Sequence, residues 1–219
     1  MMTIEDKTPG TPKWVRKLLI PGLIGAVAGF AASTGTLAFL DSGAVGGIGE
    51  SATVAVLVGM LYALIGLGMG VGVANPRIGA RFLNVEDEDE LREQKRMLGL
   101  SGLAMLLWGA ALIALALAAP GGPVPAAVAL AIGAGGLVSG SLLSVAVYRA
   151  CDELMRAVNL EAGALSYGLV LLVAGGWAML AHLGYAAAPA PLDLLTLLYV
   201  LVLLASFIVV GRRGMLAPR

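Results

Sequence analysis

Six stretches of about 20 apolar residues, each the length a helix needs to cross a bilayer core, recur along this 219-residue chain. They cover residues 18–40, 54–74, 98–119, 124–147, 164–185 and 194–210, and none contains a Lys or Arg. In lipid the backbone must satisfy its own hydrogen bonds, so each stretch is read as an α-helix. The expected fold is an all-α membrane protein. It has a six-transmembrane-helix bundle over residues 18–211, flanked by tails at 1–17 and 212–219. The sixth stretch is short for a span and is expected to run with little tilt. With 59% hydrophobic and 13% charged residues, the chain is too apolar to bury its surface in one water-soluble core. That excludes a soluble enzyme, a disordered chain and a nucleic-acid partner.

The connections carry the orientation. Asn75, Pro76 and Arg77 end the second stretch. Pro120, Gly121, Gly122, Pro123 and Pro125 separate the third from the fourth, and Pro189 and Pro191 lie between the fifth and sixth. Proline and glycine interrupt helices there. All 14 Lys and Arg fall in alternate segments. Lys7, Lys13, Arg16 and Lys17 precede the first stretch, and Arg77, Arg81, Arg92, Lys95 and Arg96 follow the second. Arg149 and Arg156 follow the fourth, and Arg212, Arg213 and Arg219 follow the sixth. The other three loops hold Asp41, Glu50 and Asp193 instead. Positive residues stay on the cytoplasmic side, so both termini are expected to be cytoplasmic, with the spans in a bacterial inner (plasma) membrane. The first stretch stays apolar to Leu40, longer than the roughly 7–15 residues of a signal-peptide core, so it is read as a retained span.

Glycine is abundant, 31 residues, and much of it lies within the spans at four-residue spacing. The pairs are Gly25/Gly29, Gly66/Gly70, Gly68/Gly72 and Gly136/Gly140. Small residues let membrane helices approach closely. This spacing fits packing inside one bundle, with a homo-oligomer interface as the second reading. Trp14 and Tyr148 suit the inner interface and Tyr185 the outer. Trp108 and Trp177 fall near the middle of the third and fifth stretches, where they are expected to fill packing gaps.

Two cytoplasmic elbows hold most of the polar information. In the first, Glu86 to Glu90 precede Arg92, Lys95 and Arg96, acids first and bases last, the order that suits a helix dipole. Glu88/Arg92 and Glu93/Arg96 are spaced for helix-surface ion pairs. With Leu91 and Leu98 seven apart, the segment reads as an amphipathic helix running on into the third span. In the second elbow, Asp152 and Glu153 lead the helix and Asp152 is spaced to pair with Arg156. Asp-Glu-Leu occurs in both, at 89–91 and 152–154, an offset that also carries the third span close to the fifth. This points to a parallel repeat of two helix–elbow–helix units, although any helix start favours acids. Glu161 sits at the edge of the apolar zone, and a structural anchor is the favoured reading over a transport or catalytic carboxylate.

The residues offer little chemistry. The single cysteine, Cys151, cannot form an internal disulfide and is expected to stay reduced. One histidine, His182, does not make a zinc or haem ligand set. Ser139 and Ser141 lack a base within reach, since His182 is placed toward the opposite side. A divalent ion on Glu86 to Glu90 is explained more simply as a solvated helix cap. No catalytic, cofactor or metal residue is assigned.

Trp14-Val15-Arg16-Lys17, the elbow Asn84-Val85-Glu86-Asp87 with Asp89-Glu90-Leu91-Arg92, and Asp152-Glu153-Leu154-Met155-Arg156 together resemble bacterial multi-spanning inner-membrane proteins with paired Asp-Glu-Leu elbows. The resemblance covers most of the chain, implies the same topology, and carries no activity or site residue with it. The expected function is that of a non-enzymatic accessory, scaffold or regulatory subunit. Its partner contacts, to a membrane or cytoplasmic protein, would be Asp89, Glu90, Arg92, Asp152, Glu153, Arg156 and Glu161. A small transporter or channel for a neutral or lipidic solute is the alternative.

Overall fold

The computed structural model describes residues 20–42, 49–82, 88–118 and 122–215, and among them every regular element is a helix. In chain order these are α1 (Ile20–Asp41), α2 (Glu50–Ala74), α3 (Pro76–Phe82), α4 (Glu88–Glu93), α5 (Lys95–Leu117), α6 (Ala126–Ala150), α7 (Glu153–His182) and α8 (Pro191–Arg212). Five of them, α2, α5, α6, α7 and α8, are long and apolar enough to cross a membrane. Helix α1 coincides with the first expected stretch.

The boundaries move where a local hydrogen bond decides them. The largest change is at α7, which starts at Glu153 rather than 164 and runs for 30 residues. Asp152 accepts from the Met155 backbone N–H at 2.7 Å, so the helix begins at the elbow itself. At 1.5 Å per residue α7 is about 45 Å long, well beyond a hydrocarbon core of about 30 Å. Helix α8 is longer than expected, 22 residues. Pro191 opens it, and Asp193 accepts from the Ala190 N–H at 3.0 Å. The first elbow does lead into α5, through a single turn residue. The ladder continues on both sides of it, from Gln94 N–H to Glu90 O and from Leu98 N–H to Gln94 O, each at 3.0 Å.

Helices α2 and α5 form the central seam. A Cβ added to Gly59 would lie 2.9 Å from the Gly109 carbonyl oxygen, and one on Gly66 would lie 2.6 Å from the Gly102 oxygen. Two glycines on each helix, seven residues apart, thus meet across an antiparallel contact of backbone on backbone. Seven-residue spacing keeps one stripe of a helix facing its neighbour. Helix α6 covers the other side of α5: Gly136 meets the Leu107 carbonyl, Gly133 meets Leu115, and Gly140 meets the edge of the Trp108 ring. The four-residue pattern found only part of this. Gly25, Gly29, Gly68 and Gly70 have open space beside them, whereas Gly59, Gly102 and Gly109 lie outside the pattern.

Helix α8 lies against α2, and α7 packs on α8. Helices α6 and α7 diverge from their junction, so the two helix–elbow–helix units differ: α2 and α5 are tightly apposed and α6 and α7 are not. The buried core, Ala52, Ala55, Val56, Tyr62, Leu112, Ala116 and Tyr199, lies in the first half of α2, the second half of α5 and the first half of α8. Leu91, Cys151, Val158 and Val209 are buried outside this cluster, at the arginine-bearing end of the bundle.

Candidate functional site

At the arginine-bearing end the elbow side chains are largely committed to the protein's own structure. In the first elbow, Arg92 Nη1 meets Asp89 Oδ1 at 3.1 Å, and the Gln94 amide donates to Glu90 Oε1 at 2.9 Å. Glu93 and Arg96 form no ion pair with each other. The turn at Gln94 ends α4 between them and breaks the regular three-residue spacing. Glu86 and Asp87 lie outside the described residues. Leu91 is 1% exposed and wedges against Gly79 of α3, which folds back onto the Gly72 carbonyl of α2. This wedge fastens the elbow to the bundle.

The second elbow corrects the expected Asp152–Arg156 pair. Asp152 is taken by the helix cap, a short charge-assisted bond that its position dictates. Arg156 turns the other way, donating to the Cys151 carbonyl at 3.3 Å and lying 5.5 Å over the Tyr148 ring. Glu153 is exposed in the first turn of α7. Leu154 is 49% exposed where Leu91 is buried, so the two Asp-Glu-Leu tripeptides do different jobs.

Cys151 is buried at this junction, with Sγ 3.7 Å from Met97 Sδ of α5 and from the Asn159 amide of α7. Burial pushes its thiol above the ordinary range. The charge of Asp152 adds to that shift and Arg156 opposes it. Glu161 has a distant partner. It meets Arg213, at the end of α8, at 2.7 Å. Sequence spacing could not reveal a partner 52 residues away.

A second constellation lies in the middle of the bundle. The Tyr62 hydroxyl donates to the Tyr199 carbonyl at 2.8 Å, and the Tyr199 hydroxyl donates to the Trp108 carbonyl at 3.2 Å. The Tyr62 ring meets Tyr199 edge-on at 5.0 Å and Trp108 at 6.5 Å. These tyrosines bind α2, α8 and α5 together at mid-span. They escaped the sequence reading, although a phenol inside an apolar stretch is itself a signal, because its hydroxyl must find an acceptor there. Trp177 is corrected in the other direction. It lies five residues before α7 ends at His182, and its indole N–H holds the Ala187 carbonyl at 2.9 Å in the α7–α8 loop.

Two cavities run along the same side of α8. The inner one, about 220 Å³, lies between α6 and α8 over the aromatic cluster, with Leu137, Ser141, Leu195, Leu198 and Val202 around it. The outer one, about 680 Å³, is lined by Gly49, Ser51, Leu115, Pro191 and Leu195 among others. Ser51 Oγ is buried there with no hydrogen-bond partner among the described residues. Leu195 borders both cavities. Among the described residues no cluster of three or more His, Cys, Asp or Glu side chains could hold a metal ion.

Comparison of the chain with protein-family models, with curated proteins and with solved structures finds no match.

Proposed function

We propose that this chain is a six-span membrane subunit that works by assembling with another protein, not by chemistry of its own. In this reading α1 is the sixth span and both termini are cytoplasmic, in a bacterial inner membrane. The orientation follows from the confinement of all 14 Lys and Arg to alternate segments. The observation that supports assembly is α7. None of its most apolar 18-residue window is buried, against 22–39% in the other four helices. Membrane helices are held by close packing with neighbours, and among the described residues α7 has one substantial neighbour, α8. Its elbow end carries the exposed Glu153 and Leu154 into the cytosol beside it.

The test places a photo-crosslinking residue at Leu172 of α7, 74% exposed, and at Leu130 of α6, 66% exposed, in cells. A discrete protein adduct from Leu172 alone, lost when Glu153 is changed to Lys, is the expected result. Adducts to lipid only from both positions overturn the assembly reading. Reporters fused at the two ends and active only in the cytosol test the topology.

A second reading, passage of a neutral or lipidic solute, is favoured by the two apolar cavities that share Leu195. Flux through vesicles containing only the purified chain would select it over assembly.

A further inference from the structure

Four cations gather where α5, α6 and α7 meet, and among the described residues no carboxylate forms an ion pair with any of them. The contact of Cys151 Sγ with Met97 Sδ, at 3.7 Å, brings the first turn of α5, with Lys95 and Arg96, to the turn between α6 and α7. Arg149 lies in the last turn of α6, just before Cys151, and Arg156 lies near the start of α7. All four residues are exposed. Elsewhere cations are answered, Arg92 by Asp89 and Arg213 by Glu161. Three acids are close to the junction in sequence, Glu93, Asp152 and Glu153. Asp152 is turned to the α7 cap, and Glu93 and Glu153 make no ion pair among the described residues.

Arg156 is held in place without an acid. It donates to the Cys151 carbonyl at 3.3 Å, and its guanidinium lies 5.5 Å over the Tyr148 ring. A guanidinium has five N–H donors, so most of them remain for an anion.

The surroundings narrow the anion. Helices α5, α6 and α7 are each long and apolar enough to cross a membrane, and these cations stand at one end of all three. Within three turns of the junction, Leu142 and Val145 of α6 and Leu160 of α7 are 66%, 48% and 61% exposed. The two helices part from there. An anion that carries apolar chains meets the cations and this open apolar surface together. A soluble phosphate would use the cations alone. Basic pockets between spanning helices are suited to anionic lipid head groups.

We infer that this junction holds the head group of an anionic phospholipid. Its phosphate lies on Arg149 and Arg156, Lys95 and Arg96 add to the positive field, and its chains follow the opening between α6 and α7. The site stands apart from assembly through α7, because it uses the arginine-bearing ends of three helices and not the exposed span of α7.

The test titrates the full chain, purified in a neutral detergent, with dioleoylphosphatidylglycerol and counts bound lipid by native mass spectrometry. Dioleoylphosphatidylcholine has the same chains and no net charge, and inorganic phosphate has the charge and no chains. The expected result is one phosphatidylglycerol per chain, at concentrations where phosphatidylcholine is not retained and phosphate does not compete. Arg149→Gln and Arg156→Gln each weaken retention about 5-fold, the share of one cation beside an anionic head group, and Arg149→Lys keeps most of it. Arg212→Gln leaves it unchanged. Arg212 adjoins Arg213, whose partner Glu161 lies about 15 Å along α7 from Cys151. Equal retention of the two lipids, displacement by phosphate at equal concentration, retention unchanged in both Gln variants of the junction, or an equal loss in Arg212→Gln overturns the inference.

Discussion

Adding one methyl group to α2 should change the sign of its effect between positions two residues apart. At Gly66 a new Cβ would sit 2.6 Å from the Gly102 carbonyl oxygen, 2.8 Å from Leu106 Cγ and 2.9 Å from the Leu106 nitrogen. Ordinary contact begins at 3.4 Å, so the helices must part there by about 0.8 Å, because two of the three atoms are backbone and cannot turn aside. A radial gap of roughly 0.5–1 Å forfeits a quarter to a half of each dispersion contact along the seam. Membrane helices have no hydrophobic force with which to recover that loss. Gly66→Ala is therefore expected to cost about 1–3 kcal/mol, the range for overpacking.

At Gly68 nothing lies within 4 Å. The same change there removes a flexible residue from a helix interior and should stabilise by roughly 0.5–1 kcal/mol. Thermal denaturation of the purified variants in one detergent, read as the loss of monodisperse protein, measures both. Gly66→Ala should melt below wild type and Gly68→Ala at or above it. Equal midpoints, or the reverse order, would refute the backbone-on-backbone seam.

Asp152→Ala should remove the α7 cap and cost about 1 kcal/mol, while Asp152→Asn keeps most of it. Amide exchange at Met155 and Arg156 should report the frayed first turn in the first variant only. The Glu161 and Arg213 side chains are 41% and 34% exposed. A double-mutant cycle with Glu161→Gln and Arg213→Gln should thus give a coupling of about 0–1 kcal/mol that shrinks with added salt. Cys151 should alkylate slowly with iodoacetamide at neutral pH. A raised thiol pKa leaves less thiolate, so the rate should climb only above the region near 8.5 where a free thiol titrates. A rate at pH 7 equal to that of the denatured chain would contradict the buried junction with Met97.

That the chain is helical, with five helices of membrane-spanning length, was legible because hydropathy acts residue by residue. Apolar length marks a span wherever it occurs, and Lys and Arg sort by side without reference to any fold. The helix starts at Glu153 and Pro191 are local effects as well, encoded by Asp152 and Asp193 within three residues of the bonds they make. The elbows were harder. Asp152 has two plausible uses at short range, capping and pairing with Arg156, and the backbone N–H wins because it is already held in place. The glycines were read at the wrong period. A four-residue pattern finds Gly66 and Gly136 but selects Gly68 and Gly70, which face open space, and omits Gly59, Gly102 and Gly109.

What the chain alone determined, then, is how many apolar stretches it has, how long they are and which ends carry its cations. These follow from transfer between water and lipid, which depends on each segment separately. The tertiary structure decided which glycines touch and that Glu161 finds Arg213. It also decided that Tyr62, Trp108 and Tyr199 meet beneath a groove between α6 and α8. Inside lipid every helix face is apolar, so hydropathy no longer distinguishes one neighbour from another. Only close fit and the few hydrogen bonds between helices do, and both depend on residues far apart in the chain.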